Sequence, residues 1–225
     1  MRMQCAVVEL EIPNYQSALD VSWHQGKINW KKVKNTGIEH VIMKATEGSY
    51  HQDVTFLYNW EMARMNNIRT SVYHYFRALM NPDEQVANVI KTLNLTTFNY
   101  REDILAIDVE EKGNELASPD QVAHTLHRFL KGLESNNFVN VYIYCNYNYW
   151  ENQVNWRIFD FSKYPLWIAW YNSEINSQPK IPSTWKTVGW TYWQYSNLGK
   201  VDGIDTYVDL DFCKTCTTNG TSVTS

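Results

Sequence analysis

Two carboxylates separated by one valine, Asp108 and Glu110, end a run of apolar residues over 104–107. An unbroken apolar run is typical of a strand buried on both faces of a parallel sheet. Side chains alternate along a strand, so the two acids point to the same side, with attachment points roughly 6–7 Å apart. Because unpaired buried charge is costly, the combination favours a catalytic pair at the C-terminal mouth of an α/β barrel. The alternative is a strand end that merges into an acidic loop at Glu111 and Lys112.

Short segments with strand composition recur along the chain and must position these acids. Helical signals separate those of the first half: Asp53 is expected to cap one helix, and Asn81-Pro82-Asp83-Glu84 and Ser118-Pro119-Asp120-Gln121 have the pattern of two further helix starts. The alternation of strand and helix predicts a parallel sheet with right-handed crossovers. Eight strands but only four or five crossover helices are expected, the strands lying at 18–22, 40–45, 70–76, 104–110, 141–145, 164–171, 188–195 and 207–212.

We therefore predict an α/β fold, a modified TIM-like (β/α) barrel with eight strands and a reduced number of helices in the C-terminal part. A chain of 225 residues is long enough for one such domain. The catalytic barrel domain is expected over 17–213, after an irregular lead-in over 1–16 and before a polar tail over 214–225.

Four acids should meet at the mouth of this barrel. Asp20, Asp108, Glu110 and Asp209 each fall in the C-terminal half of a predicted strand. The first and eighth strands of a closed barrel are neighbours, so Asp20 and Asp209 should lie side by side, with the fourth strand facing them. Either of those two acids could instead only hydrogen-bond loop amides. Asp211, on the same face as Asp209, is the better candidate for a structural role.

Aromatic residues are abundant, with 10 Trp, 15 Tyr and 8 Phe. Flat rings with a polar handle suit partly wet grooves, where they can stack on sugar rings. Tyr73, Tyr144, Trp170 and Trp193 lie near predicted strand ends and are expected to line sugar subsites, with packing in the barrel core or rim as the alternative. A cleft with acids on both walls and aromatic rings around it fits cleavage of a glycosidic bond.

Charge and composition exclude several other classes of function. The chain has 20 Lys and Arg against 24 Asp and Glu, a net charge of −4, and no basic run, which argues against a nucleic-acid partner. No apolar run reaches the roughly 20 residues of a membrane span. The stretch over 5–10 is too short for the apolar part of a signal peptide and is interrupted by acids, so the export route stays open. Cys213 and Cys216 have C-x-x-C spacing, but no second pair or nearby His completes a zinc site. We therefore expect these two cysteines to be free or bridged to each other. We expect no metal and no cofactor.

An ordered set of motifs resembles the family 25 glycoside hydrolases, the Chalaropsis-type lysozymes. The likeness extends from Leu19 to Phe212, nearly the whole chain. Asn29, Cys145 and Asp211 depart from the family pattern, and none of these departures touches the four acids. The motifs are Leu19-Asp20-Val21-Ser22 with Gln25-Gly26, Lys44-Ala45-Thr46-Glu47-Gly48, Tyr73-His74-Tyr75-Phe76, Asp108-Val109-Glu110, Leu166-Trp167-Ile168-Ala169-Trp170-Tyr171, Trp193-Gln194-Tyr195-Ser196 and Val208-Asp209-Leu210-Asp211.

The resemblance implies an N-acetylmuramidase that cleaves the β-1,4 bond between N-acetylmuramic acid and N-acetylglucosamine in peptidoglycan. It assigns Glu110 as the general acid and makes Asp108, Asp20 and Asp209 the rest of the acidic site. The i, i+2 spacing lies between the carboxylate separations of retaining and inverting enzymes, so direct attack by Asp108 stays open. We favour a route in which Asp108 orients the N-acetyl group of the substrate, which attacks its own anomeric carbon with net retention.

Two rival functions remain open from the sequence. Four convergent carboxylates could bind Mg²⁺ or Mn²⁺ in a metal-dependent barrel enzyme, and the chain could be a cell-wall-binding module without catalysis. The expected partner is the glycan strand of extracellular or periplasmic peptidoglycan, bound by a monomer.

Overall fold

The structure, a computed structural model, describes residues 15–171 and 178–214. Within these ranges nine strands form one sheet, and the first strand pairs with both the second and the last, which closes a barrel of eight strands. The strands are β1 (Gln16–Val21), β2 (His40–Glu47), β3 (His51–Gln52), β4 (Arg69–Tyr75), β5 (Leu105–Asp108), β6 (Val141–Asn146), β7 (Leu166–Ala169), β8 (Tyr192–Gly199) and β9 (Val208–Cys213). All eight predicted strands are confirmed, and β3 is an additional short strand paired with the end of β2.

Strand direction changes once around the barrel. The strands from β1 to β8 that form the barrel run parallel to their neighbours, whereas β9 is antiparallel to both β8 and β1. Antiparallel neighbours can be joined without a crossover, so the short connection over 200–207 replaces a helix. This accounts for part of the helix deficit predicted for the C-terminal part.

Five α-helices lie within the described residues, and none follows Gln153. The predicted helix starts at Asn81 and Ser118 are confirmed, because both side chains accept a hydrogen bond from a first-turn backbone N–H. The prediction for Asp53 is wrong by two residues: Thr55 precedes the helix, and Asp53 accepts from the Thr55 backbone N–H at 2.9 Å. The helices are α1 (Trp30–Asn35), α2 (Phe56–Met65), α3 (Pro82–Leu93), α4 (Pro119–Ser135) and α5 (Tyr147–Gln153).

Side chains alternate between the two faces of each strand and so form two buried layers, one outside and one inside the barrel. One set of side chains packs against the helices, and the other fills the barrel interior around Ile42, Ala106, Tyr144, Trp167 and Tyr192. Apolar residues on both faces explain why the strands read as unbroken apolar runs. Near the C-terminal ends of the parallel strands the interior residues are polar and include Asp20 and Asp108.

Several predictions fall outside this description. The lead-in and tail lie almost wholly in residues 1–14 and 215–225, which include Cys5 and Cys216. Of the other two cysteines, Cys213 is disulfide-bonded and Cys145 is a buried free thiol. No helix in the described residues has the length and apolar character needed to cross a bilayer.

Candidate active site

Three strands bring the four predicted acids to one rim of the barrel. Asp20 is the fifth of six residues in β1, Asp108 is the last residue of β5, and Glu110 follows two positions later. Asp209 is the second residue of β9, so the expectation that it lies in the C-terminal half of its strand is wrong. It reaches the same rim because β9 is antiparallel, and it pairs directly with Asp20 in the sheet register.

The acids of the two walls act on one another across the mouth. Burial raises the pKa of Asp20 most, and the charges of Asp209, Asp211 and Asp108 raise it further. Burial likewise raises the pKa of Glu110, and the charge of Asp209 adds to that effect. The four carboxyls therefore belong to one electrostatic site.

Glu110 and Asp108 differ in their surroundings. Asp108 is buried, and burial together with the Glu110 charge holds its pKa well above the usual range. Glu110 is half-buried, and the rise in its pKa from burial is opposed by a hydrogen bond from Tyr144. Oδ1 of Asp108 is buried and has no hydrogen-bond partner among the described residues. A lone buried acceptor of this kind can receive an N–H or O–H donor from a ligand.

The positive charge of Lys44 acts on both of these acids. Its charge lowers the pKa of Asp108 and of Glu110, against the larger effect of burial. The Lys44 ammonium forms an ion pair with Glu47, at an Nζ–Oε2 distance of 2.5 Å, and Glu47 forms a second ion pair with Arg77. The ammonium group also lies 4.8 Å from the ring centroid of Tyr75. This cluster fixes a cation beside the β5 wall.

A glutamine holds Asp20 on the opposite wall. Gln194 is 3% exposed and donates from Nε2 to Oδ2 of Asp20 at 2.6 Å. The hydroxyls of Tyr144 and Tyr171 both donate to its Oε1, at 2.8 and 2.6 Å. Because two donors occupy the carbonyl oxygen, the amide has to present its NH₂ to Asp20. Asp20 is thereby oriented as an acceptor.

The four predicted sugar-binding aromatics occupy different layers. Tyr73 and Tyr144 point into the barrel interior beside Trp167, with ring centroids 6.4 and 4.6 Å from it. Trp170 is half-buried and packs on the outer core. Trp193 is 1% exposed, lies in the outer core and donates to the Trp170 carbonyl at 2.8 Å. With no free ring face, Trp193 does not fit the predicted sugar subsite, because its place in the strand alternation turns it away from the mouth.

Three exposed aromatic residues near the site were not singled out from the sequence. Trp23 follows β1, Tyr171 follows β7 and Tyr207 precedes β9, with 49%, 51% and 54% of their surfaces exposed. Each lies at the strand end that faces the mouth. Trp23 lies in a loop, and Tyr171 and Tyr207 lie at the ends of predicted strands that the structure leaves outside β7 and β9.

The described residues hold no group of three His, Cys, Asp or Glu side chains arranged to share a metal ion. The acids instead meet one another and neutral donors. Two carboxyls with raised pKa values at one mouth can hold a proton near neutral pH and exchange it with a ligand.

Comparisons with known proteins agree with this geometry. Residues 19–204 match the family model described as glycosyl hydrolases family 25. The autolytic lysozyme of Clostridium acetobutylicum is 31% identical over 193 residues, covering 86% of this chain and 54% of that protein. Lysozyme M1 of Streptomyces globisporus is 29% identical over 198 residues, covering 85% and 65%. The crystal structure of the bacterial lysozyme from Streptomyces coelicolor superposes with a TM-score of 0.76 at 27% identity, over 92% of this chain and 93% of that one.

Proposed function

The chain belongs to glycosyl hydrolase family 25 and is a glycoside hydrolase of the muramidase class, and we propose that Glu110 is its general acid and base. The resemblance drawn from the motifs is confirmed by the family match. The observation that carries the proposal is the position of Glu110: it lies at the mouth, its pKa is raised by burial, and an acid with no donor of its own lies two residues away.

In the first step Glu110 donates its proton to the glycosidic oxygen as the bond to the anomeric carbon breaks. A group that holds a proton near neutral pH is suited to this role. Departure of the leaving sugar frees the Glu110 carboxylate. That carboxylate then accepts a proton from the attacking water, which restores the starting state.

Asp108 is proposed to act through the N-acetyl group of the muramic acid residue. Its free Oδ1 accepts the amide N–H, while the acetyl oxygen attacks the anomeric carbon and forms a cyclic intermediate. Water opens this ring from the opposite face, so two inversions give net retention. The Lys44 cation supports the role by favouring the ionised form of Asp108.

The second wall is proposed to hold the sugar rather than to transfer protons. Asp20, fixed by Gln194, and its cross-strand neighbour Asp209 present acceptor oxygens towards the bond that is cleaved. Tyr73, Tyr144 and Trp170 remain the proposed sugar-binding aromatics, joined by the exposed rings of Trp23, Tyr171 and Tyr207. Extracellular or periplasmic peptidoglycan is the proposed substrate, and the proposed active form is a monomer without a cofactor.

A pair of neighbouring variants tests the role of Glu110. Glu110→Gln removes the proton donor, so lysis of purified peptidoglycan should fall by at least about 10²-fold, the low end of what general acid catalysis contributes. Glu111→Gln removes an exposed carboxylate one residue away and should lyse like the unmodified protein. Circular dichroism shows whether both variants are folded. Substantial lysis by a folded Glu110→Gln variant would remove the assignment.

The products identify the bond cleaved and the route. After borohydride reduction, mass spectrometry should find a reduced muramic acid end, whereas a reduced glucosamine end would redirect the assignment to a glucosaminidase. NMR spectra recorded early in the digestion should show the β-anomer first. An α-anomer as first product would exclude participation of the N-acetyl group. Binding to peptidoglycan with no new reducing ends would instead favour a non-catalytic wall-binding module.

A further inference from the structure

A fifth carboxyl lies beneath the site and plays no part in the proposed reaction. Asp211 is the fourth residue of β9, two positions after Asp209, so both side chains point into the barrel. It is 0% exposed. Its Oδ1 accepts a hydrogen bond from the Trp167 indole N–H at 2.7 Å, whereas its Oδ2 is buried with no partner among the described residues.

The groups that face Asp211 explain why Oδ2 has no partner. Asp20 of β1 lies within hydrogen-bond reach, and Asp209 is next to it on the same face. A carboxylate oxygen and a second carboxylate can only both accept, so no hydrogen bond can form between them unless one carries a proton. The hydroxyls of Tyr192 and Tyr195 are the other titratable groups that sense the charge of Asp211.

We infer that the Asp211 carboxyl is protonated in the folded protein at neutral pH and donates from Oδ2 to Asp20, which holds the Asp20 carboxylate in place. Its Oδ1 then acts as the carbonyl oxygen that accepts from Trp167, and every polar atom of the side chain is used. Asp20 receives donors from two sides, Gln194 Nε2 and Asp211 Oδ2. Asp211 is therefore a positioning residue, and that part of the inference rests on the proposed function, whereas the location of the proton does not.

Burial supports this assignment. Burial raises the pKa of Asp211 well above its usual range and the charge of Asp209 adds to the rise, whereas the hydrogen bond from Trp167 lowers it. A hydrogen bond donated by Asp20 lowers the pKa of Asp211 as well, so the direction of that hydrogen bond decides which of the two carboxyls holds the proton. At this side chain the folded protein therefore holds a proton that the unfolded chain loses above about pH 4. Under that condition stability falls as pH rises, until the folded carboxyl itself ionises.

Asp211→Asn tests where the proton lies, because an asparagine has nearly the same shape and donates permanently from Nδ2. The unfolding equilibrium constant of the unmodified protein should rise with pH between pH 5 and 7 more steeply than that of the variant, by about tenfold per pH unit. Urea titrations measure both slopes. An infrared carbonyl band of a protonated carboxyl should disappear in Asp211→Asn. Asp205→Asn, which removes an exposed carboxylate near the start of β9, controls for loss of a negative charge.

If the unfolding equilibrium constants of the unmodified protein and of Asp211→Asn change equally with pH and the infrared band is retained, Asp211 does not hold the proton. This result would overturn the inference whether or not the protein is a muramidase. The positioning role is tested by activity. Asp211→Asn should be at least tenfold more active than Asp211→Leu, whose side chain branches in the same way but cannot donate to Asp20. Equal activity of folded Asn and Leu variants would refute the positioning role and leave the assignment of Glu110 untouched.

Discussion

Replacing Tyr144 with phenylalanine removes one hydroxyl that serves two groups of the proposed site. This hydroxyl has a single proton, which it donates either to Gln194, at 2.8 Å, or to Glu110, whose ionised form that hydrogen bond stabilises. The phenyl ring of the variant can keep the contact with Trp167, whose ring centroid lies 4.6 Å away. The substitution therefore changes hydrogen bonding more than packing.

The magnitude follows from the two states of Glu110. A hydrogen bond to a charged acceptor contributes about 1.5–3 kcal/mol, and one to a neutral group about 1 kcal/mol. The difference is about 0.5–2 kcal/mol, and we take about 1 kcal/mol for a half-buried acid. One pKa unit corresponds to 1.36 kcal/mol. Tyr144→Phe should therefore raise the pKa of Glu110 by about one unit, because the ionised form loses more than the neutral form.

The measurement is the pH dependence of kcat/KM for lysis of a peptidoglycan suspension. A general acid must be protonated, so its pKa sets the alkaline limb of the profile. This limb should move up by about one pH unit in Tyr144→Phe. Tyr171→Phe is the matched control, because it removes the other hydroxyl that donates to Gln194 and should lower activity without moving the limb. A limb that stays in place or moves down in Tyr144→Phe, or moves equally in both variants, would refute the reasoning.

Three further outcomes are expected. Lys44→Met removes a cation that favours ionised Asp108, so the pKa of Asp108 should rise and the acidic limb of the pH profile should move to higher pH. Lys27→Met, which removes an exposed cation, is the control and should leave that limb in place. An acidic limb that does not move in Lys44→Met would show that ionised Asp108 is not required. Trp193→Phe should lower the free energy of unfolding in urea by about 1–3 kcal/mol without changing KM, whereas a raised KM at unchanged stability would return Trp193 to a sugar subsite. Lysis should persist in EDTA, and loss of lysis that Mg²⁺ or Mn²⁺ restores would favour the metal-dependent alternative.

The strand pattern predicted the barrel and its acidic rim because both depend on local periodicity. Apolar runs that end in acids indicated where β1 and β5 meet the mouth, and closure of the barrel made Asp20 and Asp209 neighbours. Strand direction could not be read in the same way. The residues of β9 alternate identically whether the strand runs up or down, so Asp209 was assigned to the wrong end of its strand while still being expected at the right rim.

Side-chain roles in the site were harder to predict than its location. Trp193 and Gln194 are adjacent in sequence and point to opposite faces of β8. The ring of Trp193 packs in the outer core, whereas the amide of Gln194 points into the barrel and orients Asp20. Tyr171 follows β7 and meets Gln194 across 23 residues of chain. Such contacts depend on how neighbouring strands are staggered, which a single sequence does not state.

The buried carboxyls on the two walls of the mouth have different stabilising partners, and this difference supports the roles proposed for them. On the β5 wall Glu110 has one neutral donor, the Tyr144 hydroxyl, and the cation of Lys44 favours the ionised form of Asp108. On the opposite wall Asp20 meets a fixed neutral donor from Gln194. Neutral donors hold an acceptor in place without supplying a proton to the reaction, whereas an acid with few fixed partners can change its protonation state during a catalytic cycle. The asymmetry therefore supports the proposed division, with proton transfer at Glu110 and substrate positioning at Asp20, although burial raises the pKa of both acids.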